Sequence, residues 1–327
     1  MDSSIGPFFP HSGPMTTSTI RPTTARAVSA GVAGMALVGS SVGVSQALID
    51  APLFTAQAMR YGLAALLLVG ILAAAGQRPR RPRGREWLWL AGVAVSGLVV
   101  FNIAVVRGVA HAEPAVIAVA VACAPIFLGV LGPLVQRHRP APAVAAAAVV
   151  VTAGSVLVVG TGASDATGIV WSVVALVCEC GFTLLALPVL GRHGPYGVSL
   201  HSVWLGGVMY LALGVTVEGP GAVFSLTAGQ LVAVLWLAVA VTAAAFVLWY
   251  SAVRTLGPGP AGLITGVAPV TAALCGVLLG GAWPGPGVWL GIAVVIAGLA
   301  AGLLSTRGTA RRDPPERLKK PADVDLA

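Results

Sequence analysis

The sequence predicts an all-α integral membrane protein of ten transmembrane helices, built as two inverted five-helix repeats. Three observations carry this. The chain of 327 residues is 57% hydrophobic and only 9% charged, with a mean hydropathy of +0.92, so its main solvent is lipid. It contains ten apolar windows of about 20 residues, the length that crosses a hydrocarbon core roughly 30 Å thick. Its two halves also repeat one another in sequence.

The windows fall near residues 28–48, 52–75, 87–107, 113–135, 143–161, 168–190, 197–217, 228–253, 259–281 and 285–306. The connections are too short for a soluble domain. Residues 1–27, rich in Ser, Thr and Pro, are expected to form a disordered cytoplasmic tail, and residues 307–327 a basic cytoplasmic tail. Arg26 before an apolar run and the "SQA" at 45–47 loosely resemble a signal peptide, but the repeat described next makes span 1 a counterpart of an internal span and argues against cleavage.

Span 1, "ALVGSSVGVSQAL" (36–48), lies without a gap over span 6, "ALVCECGFTLLAL" (175–187). Further on, "RPAPAVAAAAVVVTAG" (139–154) lies over "WPGPGVWLGIAVVIAG" (283–298), pairing Pro140 with Pro284, Pro142 with Pro286 and Gly154 with Gly298; the same offset pairs Pro125 with Pro269 and Gly132 with Gly276. The first repeat is therefore placed at 28–161 and the second at 168–306. Five spans is an odd number, so the second repeat enters the membrane from the other side, an arrangement that suits a central site with two alternating openings.

Charge agrees with inversion. Of the 19 basic residues, all but Arg60 and Arg107 fall at one face when both termini share it: Arg78, Arg80, Arg81, Arg83 and Arg85 after span 2, Arg137 and Arg139 after span 4, Arg192 after span 6, Arg254 after span 8, and the tails. Asp50, Glu113, Asp165 and Glu218 fall at the other face. Basic loops are retained in the cytoplasm, so both termini are expected inside. Orientation accounts for the pI of about 10.0, and no nucleic-acid partner is inferred from it.

These residues resemble the drug/metabolite transporter superfamily, specifically its EamA-type members, over 28–306. The resemblance rests on an arginine followed by an aromatic in the second span (Arg60, Tyr61), a proline before apolar and small residues in spans 4 and 9 (Pro125, Pro269), and a glycine within a small-residue pattern in spans 5 and 10 (Gly154, Gly298). The glutamates that family members commonly carry after spans 4 and 9 are replaced here by Gln136 to Arg139 and Gly281 to Trp283. The resemblance implies a secondary transporter of a small organic metabolite or drug-like compound in a bacterial plasma membrane, with export favoured over import.

Few polar residues lie within the spans, and a charge in a bilayer usually faces a cavity or a partner. Glu179 lies roughly 16 Å deep and Arg60 roughly 12 Å deep from the same face, at a rise of about 1.5 Å per residue. The two are expected to meet where the halves join. Glu179 either carries a coupling proton or is a neutral hydrogen-bonding residue; Arg60 either anchors substrate or snorkels outward or onto neighbouring carbonyls. Ser40, Gln46, Asn102 and Tyr250, with Ser45, Thr183 and His201, are candidate cavity donors and acceptors or helix-packing residues. Cys178 and Cys180 point to different helix faces and suit neither a shared metal nor a disulfide, so no cofactor is expected. Trp87, Trp171, Trp283 and Trp289 are placed as interfacial anchors, and Gly276 with Gly280 and Gly298 with Gly302 as close helix contacts, within the bundle or in a homodimer.

Other function classes fit less well. The only lysines, Lys319 and Lys320, lie in the C-terminal tail, so there is no GxxxxGK nucleotide loop and transport must draw on a gradient. No HExxH, GxSxG or pair of intramembrane aspartates supports a membrane-embedded enzyme. A scaffold that transports nothing is the remaining alternative.

Overall fold

The computed structural model describes residues 22–278 and 283–310, the side chains of Pro22 and 306–310 excepted. The described residues form ten helices long and apolar enough to cross a membrane: Thr23–Leu48, Leu53–Ala74, Glu86–Gly108, Pro114–Val135, Pro142–Val159, Ala166–Leu184, Leu187–Glu218, Ala228–Leu256, Pro258–Leu278 and Pro286–Ser305, here spans 1 to 10. Two tail boundaries move. Residues 22–27, expected in the disordered tail, are helical because the first helix starts at Pro22, whose fixed φ suits a first helical position. The last helix runs on to Ala310, taking in 307–310. The rest of both tails, with Gly280 and Gly281, lies outside the described residues.

Within hydrocarbon an unpaired backbone group has no water to turn to, so departures from α-helix are informative, and here they recur in both halves. Span 4 breaks between Ala122 and Ala124, and span 9 between Ile264 and Val267. The matched prolines Pro125 and Pro269 explain the breaks, since each lacks the N–H that an uninterrupted helix would use. Tighter i to i+3 bonds take over: Cys123 N–H to Ala120 O and Ile126 N–H to Cys123 O, both 3.0 Å, and Ala268 N–H to Thr265 O at 3.0 Å. Ala122 O, left free, accepts from the Thr152 hydroxyl of span 5 at 3.1 Å. Spans 3 and 8 each contain a π-helical segment, Ala94–Val100 and Leu237–Ala244, at equivalent places. Span 1 ends in a 3₁₀ turn, Gln46–Leu48, where span 6 bends at Leu185 and Ala186.

After that bend a short helix runs from Leu187 to His193, and Gly194, at φ 66°, ψ 175°, interrupts it before span 7 continues from Pro195. Spans 2 and 7 pack together, as do spans 3 and 6, and span 1 packs on spans 8 and 9. Spans 5 and 10 form the most extensive helix pair. They meet through glycine: a Cβ on Gly154 would lie 2.7 Å from Val295 N and 2.9 Å from Gly291 O, and one on Gly298 would lie 3.1 Å from Val151 N. Gly298 and Gly302 form close contacts within the bundle, whereas Gly276 faces open space among the described residues.

At the acidic end the loops 3–4 and 5–6 clasp each other. Glu113 N–H bonds Ala163 O at 3.0 Å, and Asp165 N–H bonds His111 O at 3.1 Å. Asp165 caps span 6 by accepting from Gly168 N–H at 2.8 Å and pairs with His111 Nδ1 at 3.0 Å. The Gly168 amide, then the His111 hydrogen bond, hold its carboxyl below the usual range. Its contribution to the clasp is thus present above the ordinary carboxylate pKa and lost as pH falls.

The glycine contact gives a direct test. Gly154→Ala forces the span 5–10 backbones apart and should destabilise the protein by about 1–3 kcal/mol, lowering its melting temperature in detergent. Gly70→Ala, where a Cβ meets nothing within 4 Å, should leave it unchanged or raised. Equal effects at the two sites would contradict the packing.

Candidate functional site

Span 2 turns a buried stripe inward through Ala56, Tyr61, Ala64 and Leu68. Gln57 and Arg60 lie on the half-buried edge of that stripe, away from the exposed face at Leu63, Leu66 and Val69. Arg60 reaches across to the other repeat: its Nε donates to Thr242 Oγ1, 2.8 Å away in the π segment of span 8. A longer bond from Nη1 reaches Gln57 Oε1 at 3.4 Å, and the guanidinium carbon lies 5.1 Å from the Tyr61 ring centroid. Thr242 is fully buried, so of the alternatives for Arg60 the outward snorkelling is not the one formed.

The network continues into span 3. Gln57 Nε2 donates to Asn102 Oδ1 at 3.2 Å, and Asn102 Nδ2 donates to Leu98 O at 2.5 Å and Tyr61 Oη at 3.3 Å. Leu98 lies in the π segment, where the i to i+4 pattern lapses; its carbonyl also accepts from Tyr210 Oη at 2.9 Å. Tyr210 in turn stacks on Tyr61, with centroids 5.6 Å apart. Four spans from both repeats therefore meet around one cation.

Glu179 occupies the inward stripe of span 6 with Ser172, Ala175 and Thr183, all buried, while Val173 and Val177 face outward. Glu179 itself is half-buried as a residue. Among the described residues it has neither a hydrogen-bond nor an ion-pair partner. Its neighbours turn elsewhere: Tyr250 Oη donates to Phe182 O at 3.0 Å, and Trp249 Nε1 to Thr183 Oγ1 at 3.2 Å. The expected meeting of Arg60 and Glu179 is not formed as an ion pair, because Arg60 is drawn to Thr242 and Gln57. Span 3 measures the gap: Ser96 packs on Gly181, and Asn102, which bonds Gln57 and Tyr61 beside Arg60, is six residues further along. Glu179 stands two residues from Gly181 on the antiparallel span 6, toward Asn102, which leaves the two charges about one helical turn apart in depth.

The remaining candidates scatter. Ser40 donates to Leu37 O at 2.6 Å and accepts from Trp236 Nε1 at 3.3 Å; Gln46 is exposed in the terminal 3₁₀ turn. Tyr250 is wholly buried, joining spans 8 and 6. Sequence reasoning missed Gln57, Thr242 and Tyr210. Gln57 carried a local signal, standing one turn before Arg60; the other two needed the tertiary fold. No cluster of metal-ligating side chains is found among the described residues.

A ten-span bundle of two repeats with a polar network at their junction defines a membrane transporter. The chain belongs to the EamA-like transporter family, whose model matches residues 25–160 and again 166–303. It is 27% identical over 278 residues to "Uncharacterized transporter YetK" of Bacillus subtilis (strain 168), covering 82% of this chain and 83% of that protein. It is 26% identical over 265 residues to a Streptantibioticus cattleyicolor protein named "Probable terminal-alkyne amino-acid exporter", covering 77% and 87%. A protein of known crystal structure superposes with a TM-score of 0.73 over 86% of this chain and 98% of the other, at 19% identity, a likeness of fold alone.

Thr242→Val keeps the shape of the side chain but removes the acceptor for Arg60 Nε. A hydrogen bond to a charged group is worth about 1.5–3 kcal/mol, so transport should fall about tenfold or more with the protein still folded in the membrane. Unchanged transport would show that the inter-repeat bond does not position Arg60.

Proposed function

We propose that the protein exports a small zwitterionic metabolite of the amino-acid class in exchange for protons. Arg60 receives the substrate carboxylate, and Glu179 receives either the substrate ammonium group or a proton. The observation that carries this reading is the pair of opposite charges on inward stripes of opposite repeats, about one turn apart in depth, each without an oppositely charged partner among the described residues. An α-amino acid presents its two charges close together, and hydrogen bonds at each end extend its reach to such a gap. The amino-acid exporter among the relatives supports the substrate class.

Coupling follows from competition at one carboxylate. A proton arriving from the acidic side neutralises Glu179 and releases the ammonium group; loss of that proton on the other side restores the charge and admits the next substrate. The reading needs no covalent chemistry and places the chain in a bacterial inner membrane with the arginine-rich end and both termini in the cytoplasm, as the distribution of basic loops favours.

Two measurements test it. In proteoliposomes, Glu179→Gln should abolish accumulation driven by a pH gradient while sparing some substrate-for-substrate exchange, and Arg60→Ala should abolish both. Full gradient-driven accumulation by the Gln variant would remove Glu179 from coupling. For orientation, in a chain freed of native cysteines, Gly221→Cys should react with an impermeant thiol reagent from outside the cell and Gly84→Cys should not; the reverse would invert the assignment.

A further inference from the structure

Away from the central network, the arginine-rich end holds a recess of about 320 Å³ lined by Gln77, Arg78, Arg80, Arg192, His193 and Arg254, together with the first residues of span 7, Pro195 to Gly197. Its walls come from the loop after span 2, the kink before span 7 and the end of span 8. The loop is held in place: Arg80 Nη1 donates to Arg192 O at 3.0 Å, and Arg80 O pairs with His201 Nε2 at 2.9 Å. Gly194 is held at φ 66°, and a Cβ there would lie 3.6 Å from Arg254 Nη1, which brings that guanidinium over the kink. Four guanidinium groups line the recess, and the nearest carboxylate, Glu86, is occupied by Arg192 and by His193 Nε2. Arg78 and Arg254 have no acidic partner among the described residues. The His193 side chain is fully buried, and its Nδ1 has no partner.

The repeat shows what this place lacks. Spans 2 and 7 correspond through the proline that precedes or opens each, Pro52 and Pro195, and the positive-φ glycine that follows each, Gly76 (φ 64°) and Gly219 (φ 87°). At the acidic end the start of span 2 is clamped by an anion, because Glu218, the last residue of span 7, accepts from Phe54 N–H and Thr55 N–H at 2.8 Å each and from Thr55 Oγ1 at 2.6 Å. In the register set by the two glycines, the residue standing where Glu218 would be at the other end is Ala75, and Phe54 and Thr55 correspond to Gly197 and Val198. No side chain among the described residues caps Gly197 or Val198. One end of the molecule supplies a carboxylate to a helix start; the other presents the equivalent start to an arginine-lined recess.

We propose that this recess binds a phosphate group, which takes at span 7 the place that the Glu218 carboxylate takes at span 2. A helix N-terminus favours an anion, and guanidinium forks match phosphate oxygens in pairs. The recess lies where the ends of spans 2 and 8 meet the start of span 7, and the ends of spans are where a protein meets lipid headgroups, so the group is either the headgroup phosphate of an anionic lipid or free inorganic phosphate.

The test uses the purified full chain and reads its melting temperature. In zwitterionic phosphatidylcholine nanodiscs, inorganic phosphate is titrated against chloride at matched ionic strength; separately, phosphatidylglycerol is introduced into the nanodiscs without free phosphate. Stabilisation in the first arm only identifies free phosphate as the ligand, and in the second arm only identifies the lipid; either supports the site. Arg78→Gln with Arg254→Gln should weaken the effect by about tenfold per guanidinium removed. Ala75→Glu, which supplies the missing carboxylate from within the chain, should abolish the effect while raising the melting temperature of the ligand-free protein. The proposal is overturned if neither arm stabilises the native chain, or if stabilisation persists undiminished in the arginine double variant, which remains informative should the glutamate variant not fold.

Discussion

A backbone in hydrocarbon must satisfy its own hydrogen bonds, and this constraint governs where the chain departs from a regular helix. Each departure comes with a substitute. The proline break in span 4 tightens into shorter bonds and hands the freed Ala122 carbonyl to Thr152. The π segment of span 3 offers Leu98 O to both Asn102 and Tyr210. These irregular points include the places where the polar network is built, so the backbone's need for partners and the assembly of the site are one problem with a shared solution.

The same economy explains the central charges. Arg60 is held by neutral acceptors, Thr242 and Gln57, which orient a guanidinium without cancelling its charge. Glu179 is held by packing on its inward stripe, and neighbouring donors are committed to other acceptors. A direct ion pair would be a more self-sufficient arrangement, but breaking it to admit a charged ligand would leave both charges uncompensated in a poorly solvated interior.

Much of the fold was legible because lipid makes the signal simple: length and apolarity identify a span, and gapless matches between the two halves expose the repeat. The matched prolines Pro125 and Pro269, read from the sequence only as markers of the repeat, lie at real breaks, and Gly298, read as a close helix contact, makes one with its repeat counterpart's span. The site was less legible. Arg60 and Glu179 stood out as charges, but their separation depends on how spans 2, 3 and 6 register against one another. Thr242 looks like any small hydroxyl until the fold brings it to Arg60, and Gln46 looks like a cavity donor until the end of span 1 is seen to tighten into an exposed turn. The first helix start was placed late because Pro22 was read as tail composition and not as a first helical residue.

The contact between spans 5 and 10 joins equivalent elements of the two repeats, Gly154 and Gly298 being matched positions. It is therefore a contact that a single five-helix unit could make with an antiparallel copy of itself. Gene fusion would then have had little to invent. An ancestor able to insert in both directions would already possess the interface, and covalent linkage would free each copy to diverge: one keeps a carboxylate at Glu218 while the other has Ala75, and one carries Glu179 while the other has Ser40. On this account the asymmetry that gives the molecule a direction is younger than the symmetry that holds it together.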